Sequence, residues 1–235
     1  MWRKDNMPAT LWWRDDDAQL PCPQLDRLLQ LSATAKTPLV LATIPHSVDR
    51  SLAAKIKPIP NITIVQHGWS HSNHAPVSEK KCELGDHRSL SEIERELSTG
   101  AEILKELFAD MFMPVLVPPW NRISPTIAKQ LENYGYVGLS TFGDVNLVRS
   151  TSGFCQANTH VDLINWRGDR AFIGTETTIE KITTHLRKRR CGECDRHQAT
   201  GILTHHLDHD EDLWQFLGVF FKFSNQHPMV QWQTG

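Results

Sequence analysis

Asp15, Asp16 and Asp17 stand in succession in WWRDDDA, close to the chain start. Three adjacent carboxylates repel one another, and such a run in isolation fits a solvated acidic turn or a helix cap. At the end of a strand, successive side chains point to opposite sides, so one carboxylate can hold a cation while its neighbour accepts a proton. His67 and His71 lie four apart in QHGWSHSNH, with His74 three further on. In an extended segment the two imidazoles would be about 13 Å apart, too far to share an ion. In one helical turn they are neighbours about 6 Å apart at Cβ, within reach of a single ion at Zn–N distances of about 2.0–2.1 Å. Metal binding by this pair therefore predicts a helical turn at the end of the preceding apolar run; the alternative is a pair of ordinary surface or helix-start histidines.

Two further segments carry candidate groups. GILTHHLDHDE supplies His205, His206 and His209 after a short apolar run, either as a general acid at a strand end or as a polar turn before the last helix. VPPWNR, with Pro119, Trp120, Asn121 and Arg122, fits a rigid apolar wall or a simple proline turn.

The elements that must position these groups alternate. TPLVLATIP at 37–45 and NITIVQ at 61–66 are short, β-branched and bounded by Pro or Asn, as buried strands are. Between them Val48, Leu52 and Ile56 share a helical face. Ser89 with Glu92 forms a capping-box pattern ahead of a helix to about Met111, with Ile93, Leu97, Ile103, Leu104 and Leu107 on one side. PVLVPP and YVGLST read as strands, with SPTIAKQLENYG as a helix between them. Residues 142–175 mix turn residues with short apolar pieces and yield no clear elements. TTIEKITTHLRKRR reads as a helix, GILTHH as a strand and EDLWQFLGVFFKF as a closing helix. Repeated βα units predict a largely parallel sheet covered by helices, with functional groups at the C-terminal ends of its strands.

Taken together and in this order, RDDDA, HGWSH, VPPWN and LTH resemble the motifs of the polysaccharide deacetylase (NodB-homology, family 4 carbohydrate esterase) family over residues 12 to about 210. The resemblance implies an α/β fold, a distorted (β/α) barrel of about seven parallel strands. It also implies Asp17, His67 and His71 as ligands of a divalent metal, zinc first and cobalt or iron next. Asp16 would be general base and His205 general acid, with Pro119, Trp120, Asn121 and Arg122 at the substrate. Such an ion keeps an open position for polarising an amide carbonyl and activating water. The expected reaction is removal of an acyl group, acetyl first, from an N-acylated sugar or related amide. The chain departs from the pattern twice. Val117 stands where the family carries an Arg that orients the base, leaving Arg14 and Arg122 to replace it, and Ala18 stands for the usual Gly.

Two rival readings are available. His160 and Asp162 with His205 or His206 would make a two-His, one-carboxylate site for an Fe(II) oxygenase, although a parallel βα chain fits poorly with the jelly roll of such enzymes. A non-catalytic carbohydrate-binding domain is the other, supported by the absent motif Arg and opposed by the presence of Asp16 and His205. Cys191 and Cys194, with His197, suggest part of a zinc knuckle or a redox pair, against the simpler reading of a reduced loop without a fourth ligand.

Bulk composition narrows the partners. The 235 residues carry 25 Lys plus Arg against 27 Asp plus Glu, a balance that gives no reason to expect nucleic acid or a membrane surface. One domain is expected at this length. Five cysteines, an odd number, argue against a secreted disulfide framework. The N-terminus has no apolar run of signal-peptide length, so a cytoplasmic protein with a soluble N-acyl substrate is expected.

Overall fold

The computed structural model describes residues 7–144 and 153–234. Among the described residues nine strands form one sheet, and the pairings between them are parallel. They are β1 (Ala9–Ala18), β2 (Leu39–Thr43), β3 (Ile62–His67), β4 (Phe112–Val117), β5 (Gly138–Leu139), β6 (Cys155–Gln156), β7 (Val161–Asp162), β8 (Thr200–Thr204) and β9 (Val230–Trp232). The sheet order is β6-β5-β4-β3-β2-β1-β8-β7, and β9 pairs with the start of β1. The segment containing β6 and β7 bonds both ways: Thr159 N–H donates to Thr141 O, and His160 N–H donates to Gly201 O. It thereby curls the two ends of the sheet toward each other. The count exceeds the seven strands expected because β5, β6, β7 and β9 are only two or three residues long.

The helices are α1 (Pro23–Ala35), α2 (Arg50–Ile56), α3 (Leu90–Phe108), α4 (Pro125–Ala128), α5 (Thr175–Cys191) and α6 (Glu211–Gln226). Local chemistry explains several boundaries. Ser89 and Glu92 close the capping box of α3, Asp49 caps α2 through Ser51 N and Leu52 N, and Asp210 caps α6 through Leu213 N. The helix expected from residue 46 therefore starts only at Arg50, after a 3-10 turn at Pro45–Ser47. The one expected over SPTIAKQLENYG closes after four residues, and its remainder turns toward Gly135, which has φ +86°. Of the stretch 142–175 that gave no clear elements, residues 145–152 lie outside the described residues, and the rest holds the short strands β6 and β7.

The period-two alternation of strands decides which side chains reach the site. Leu11, Trp13, Leu39, Leu41, Ile62, Ile64 and Ile202 face the helices, where they pack with Leu25, Leu28, Leu213 and Phe221. Trp12, Val40, Ala42, Val65 and Val117 form a separate cluster inside the curled sheet. Counting onward in steps of two, Arg14 and Asp16 on β1 and His67 on β3 fall on the inward side, at the C-terminal ends of their strands. On β8 the outward positions are Ile202 and Thr204, which makes His206 outward and His205 inward.

Candidate metal and acid–base site

β1 delivers three carboxylates to three environments. Asp15 points outward and is fully buried; it accepts Thr204 Oγ1–H at 2.6 Å and meets His206 Nδ1 at 2.5 Å. Burial alone would raise its pKa, but His206 holds it below the usual carboxylate value. Trp13 Nε1 donates to the same Thr204 hydroxyl at 2.8 Å, so the network ties β1 to the end of β8. Asp16 points inward beside Arg14, whose Nε donates to Oδ1 at 2.8 Å and Nη2 to Oδ2 at 3.1 Å. Arg14 is held in turn by Ser140 Oγ at 2.6 Å and Asn121 Oδ1 at 2.8 Å.

Strict alternation would aim Asp17 outward with Asp15. Instead the β1–β2 register shifts between Asp15 and Ala18, and Asp17 takes φ +71°. This bulge turns its carboxylate to the mouth of the sheet, where Oδ1 lies 3.1 Å from His67 Nε2 and 3.4 Å from His71 Nε2.

The two histidines meet without the expected helical turn. His67 ends β3, and the chain then reverses through Gly68 at φ +56° and His71 at φ +57°. The buried Glu83 carboxylate holds this loop by accepting Trp69 N–H at 3.0 Å, Ser70 N–H at 2.8 Å and Ser72 N–H at 3.2 Å. A Cβ at residue 68 would sit 2.0 Å from Glu83 Oε2 and 2.6 Å from Pro119 Cδ, so glycine is required for space as well as conformation. The ring centroids of His67 and His71 end 5.1 Å apart. Asp17, His71, Trp120 and Asn121 all have positive φ, so half of the eight such non-glycine residues described lie at this site.

These three residues suit a divalent cation. Their ligand atoms all lie within 4.8 Å of one another. His67 Nδ1 meets Val117 O at 3.0 Å, which makes Nδ1–H the donor and aims the Nε2 lone pair at Asp17 and His71. Burial depresses the His67 pKa, but Asp17 and Asp16 outweigh it and raise the pKa, so the pocket favours positive charge. His71 moves the other way, lowered by burial and by His67. Burial opposes ionisation of Asp17, but His67, His205 and His71 together outweigh it and drive its pKa well below the carboxylate range.

His205, directly after β8, completes the group, with Nε2 4.0 Å from Asp16 Oδ2 and Nδ1 buried without a hydrogen-bond partner. Trp166 meets it edge-on, with ring centroids 4.6 Å apart, and donates Nε1–H to Asp162 Oδ2 at 2.7 Å. Burial raises the Asp162 pKa, while the charge of His205 opposes it. Trp120 packs edge-on against His71 at 4.4 Å beside the buried Pro119. Of the other wall residues, Asn121 is bonded to Arg14, and Arg122 donates to Lys81 O at 2.7 Å. Arg14, not Arg122, therefore holds Asp16.

The rival iron triad is not assembled. His160 stacks on His185 at 3.7 Å and accepts Gly201 N–H at Nδ1, whereas Asp162 is engaged with Trp166 and Ile164. Among the described residues, only Asp17/His67/His71 and Asp144/His185/Cys194 bring three metal-ligating types together. Glu83, Ser140 and Trp166 escaped the sequence reading. Trp166 and Asp162 lie in the stretch without periodicity, and Glu83 sits in a long loop whose contacts are all non-local.

Comparison of the sequence with family models gives no match, and neither does comparison with curated proteins. Solved structures do match over nearly the whole chain. A Mycobacterium smegmatis protein provisionally assigned as a polysaccharide deacetylase superposes with a TM-score of 0.68 at 16% identity, over 97% of this chain and 87% of that one. The fold is that of the polysaccharide deacetylases. An acetyl xylan esterase of carbohydrate esterase family 4 from Clostridium thermocellum, in complex with a cobalt ion, gives 0.54 at 14% identity, over 95% and 87%. A family 4 pseudoenzyme from Bacillus anthracis gives 0.58 at 13% identity, over 97% and 64%. The polysaccharide deacetylase fold thus includes proteins described both as esterases and as a pseudoenzyme, and the chemistry of this chain has to be argued from its own residues. No described helix is long and apolar enough to cross a membrane.

Proposed function

We propose that this chain is a metal-dependent hydrolase that removes an acyl group, acetyl first, from an N-acylated sugar or a related amide. The reading rests on one observation: Asp17, His67 and His71 converge on a common point at the sheet mouth, with Asp16 and His205 on the same inward side. Structural neighbours described as a deacetylase with substrate, an esterase with acetate and an esterase with cobalt support it by likeness of fold.

Asp17, His67 and His71 would hold the ion, zinc first with cobalt and iron as alternatives. When bound, such an ion supplies Lewis acidity at an open position, favouring the deprotonated form of a water and polarising an acyl carbonyl. The Arg14 fork holds Asp16 in the orientation needed to accept a proton from attacking water. His205 gives a proton to the departing nitrogen, which matters more for an amine than for an alcohol because an unprotonated amine leaves poorly. Trp120 and Pro119 form a rigid wall that suits an acyl methyl or the face of a sugar ring. The non-catalytic alternative loses its main support, since Arg14 supplies the guanidinium that position 117 lacks.

The test combines metal analysis with assays on N-acetylated amino sugars. Asp17→Ala and His71→Ala each lose one metal equivalent per chain and all activity, while Asp16→Asn keeps the metal and loses turnover. Full metal content in both ligand variants overturns the site, and full activity of Asp16→Asn removes it as base.

A further inference from the structure

A second group of ligand-type side chains lies at the other end of β8. His185 from α5, Cys194 from the α5–β8 connection and Asp144 after β5 place their ligand atoms within 4.8 Å of one another. His185 Nε2 is 3.8 Å from Cys194 Sγ and 3.8 Å from Asp144 Oδ1. The imidazole–carboxylate contact is too long for a hydrogen bond, and the sulfur contact is at best a weak one. Both are close to the ligand–ligand separations of about 3.4–3.6 Å that follow from tetrahedral Zn–S and Zn–N bonds of about 2.3 and 2.0–2.1 Å.

The surroundings prepare the imidazole as a ligand. His185 Nδ1 lies 2.9 Å from Thr200 Oγ1, and donating its N–H there leaves the Nε2 lone pair facing Cys194 and Asp144. Arg189 Nη1 fixes the same hydroxyl at 3.2 Å, and the His160 ring stacks on His185 at 3.7 Å. Burial keeps His185 neutral, with a pKa lowered to about 4. Burial also raises the Cys194 thiol, so the resting group carries little charge apart from Asp144. A divalent ion that displaces the single thiol proton would form a neutral cluster with one thiolate and one carboxylate. Lys188 Nζ, 3.9 Å from Asp144 Oδ2, favours that thiolate.

We propose that Asp144, His185 and Cys194 form a second zinc site, with water as the fourth ligand. Thr200 and Thr204 bound β8, so this cluster lies roughly 15 Å along the strand from the His205 end. It would tie the α5–β8 connection to the loop after β5, on either side of the segment that curls the sheet closed. Cys191 is exposed at the end of α5 and is not a ligand.

The test uses full-length protein carrying Asp17→Ala and His71→Ala, so that its outcome does not depend on the first site. Loaded with cobalt, this variant binds one equivalent and shows thiolate-to-cobalt charge transfer in the near ultraviolet, which a site of Asp and His alone cannot give. Adding Cys194→Ser abolishes the band, adding Cys191→Ser leaves it, and Asp144→Asn, at a half-exposed loop position, weakens cobalt affinity at least tenfold. No band in the starting variant, a band lost with Cys191→Ser, or unchanged affinity in Asp144→Asn overturns the proposal.

Discussion

Arg14 and Asp16 lie two residues apart on the same inward face of β1 and are joined by two hydrogen bonds, from Nε at 2.8 Å and from Nη2 at 3.1 Å. Both side chains are almost completely buried, and Ser140 and Asn121 occupy further donors of the guanidinium. A planar fork fixes the carboxylate plane in a way that an ammonium cannot. Arg14→Lys is therefore expected to keep the charge and the metal but to lower kcat by roughly a hundredfold, the scale associated with a displacement of about 1 Å in a reacting group. Steady-state kinetics beside metal analysis checks this; wild-type kcat in Arg14→Lys removes Arg14 as the positioning residue. Arg14→Gln leaves Asp16 buried without its partner charge and should cost about 3 kcal/mol or more of stability.

The motifs carried the candidate residues, and strand parity accounts for how most of them are arranged. The sequence alone leaves WWRDDDA unassigned and the choice between His205 and His206 open; with β1 and β8 in place, alternation puts Arg14, Asp16 and His205 on one side and Asp15 and His206 on the other. Two features were not legible. The bulge that redirects Asp17 is a departure from alternation that depends on pairing with β2, a partner remote in sequence. The approach of His71 to His67 depends on Glu83, twelve residues beyond His71 and outside any periodic element. Spacing of four suggested a helical turn because that is the local way to bring such a pair together; a buried carboxylate binding three backbone N–H groups is the non-local way. Helix α1 was missed although Leu25, Leu28 and Leu29 mark its buried face, and Cys22 caps it through sulfur, an unusual N-cap type.

The Glu83 loop gives a second prediction. Glu83→Gln keeps the shape but replaces one acceptor oxygen with an NH2 group facing backbone donors. A cost of about 1–3 kcal/mol in stability is expected from the unsatisfied groups, together with a 10–100-fold loss of metal affinity (order of magnitude) as His71 is released. Gly68→Ala should be worse, because its Cβ would overlap both Glu83 and Pro119. Metal titration of the two variants checks the order; a Gly68→Ala protein that binds metal as wild type does would show that the loop does not position His71.

Trp166 makes a third case. Its ring edge lies against His205 and its Nε1–H is bonded to Asp162, so it spans the two groups. Trp166→Phe keeps the ring contact and loses the bond, whereas Trp166→Ala loses both. Turnover should fall in that order, by about tenfold or more in the alanine variant, with metal content unchanged. Equal activity in all three proteins would assign Trp166 to the surface alone.

The last prediction concerns acid. The His209 side chain is fully buried, its two ring nitrogens have no hydrogen-bond partner, and it packs edge-on against Trp214 at 4.3 Å. Burial lowers its pKa to about 4, only partly offset by Asp15. An unfolded chain would take up the proton near pH 6.5 while the folded one resists it to about 4, so stability contributed by the neutral ring is present above 6.5 and lost as pH falls through that window. The slope from this one group is at most about 1.4 kcal/mol per pH unit. His206 works in the opposite sense: its pKa is raised, since Asp15 outweighs burial, so its contribution is complete below 6.5 and declines as pH rises through the raised value. His209→Phe keeps the aromatic contact and removes the proton, and is expected to lower the slope of the acid limb by up to about 1.4 kcal/mol per pH unit, the remainder coming from His185, His160 and His71, while leaving the alkaline limb in place. Urea unfolding of chelator-treated protein between pH 4.5 and 8 reads both limbs; an acid limb of unchanged slope in His209→Phe would assign the acid sensitivity to other groups.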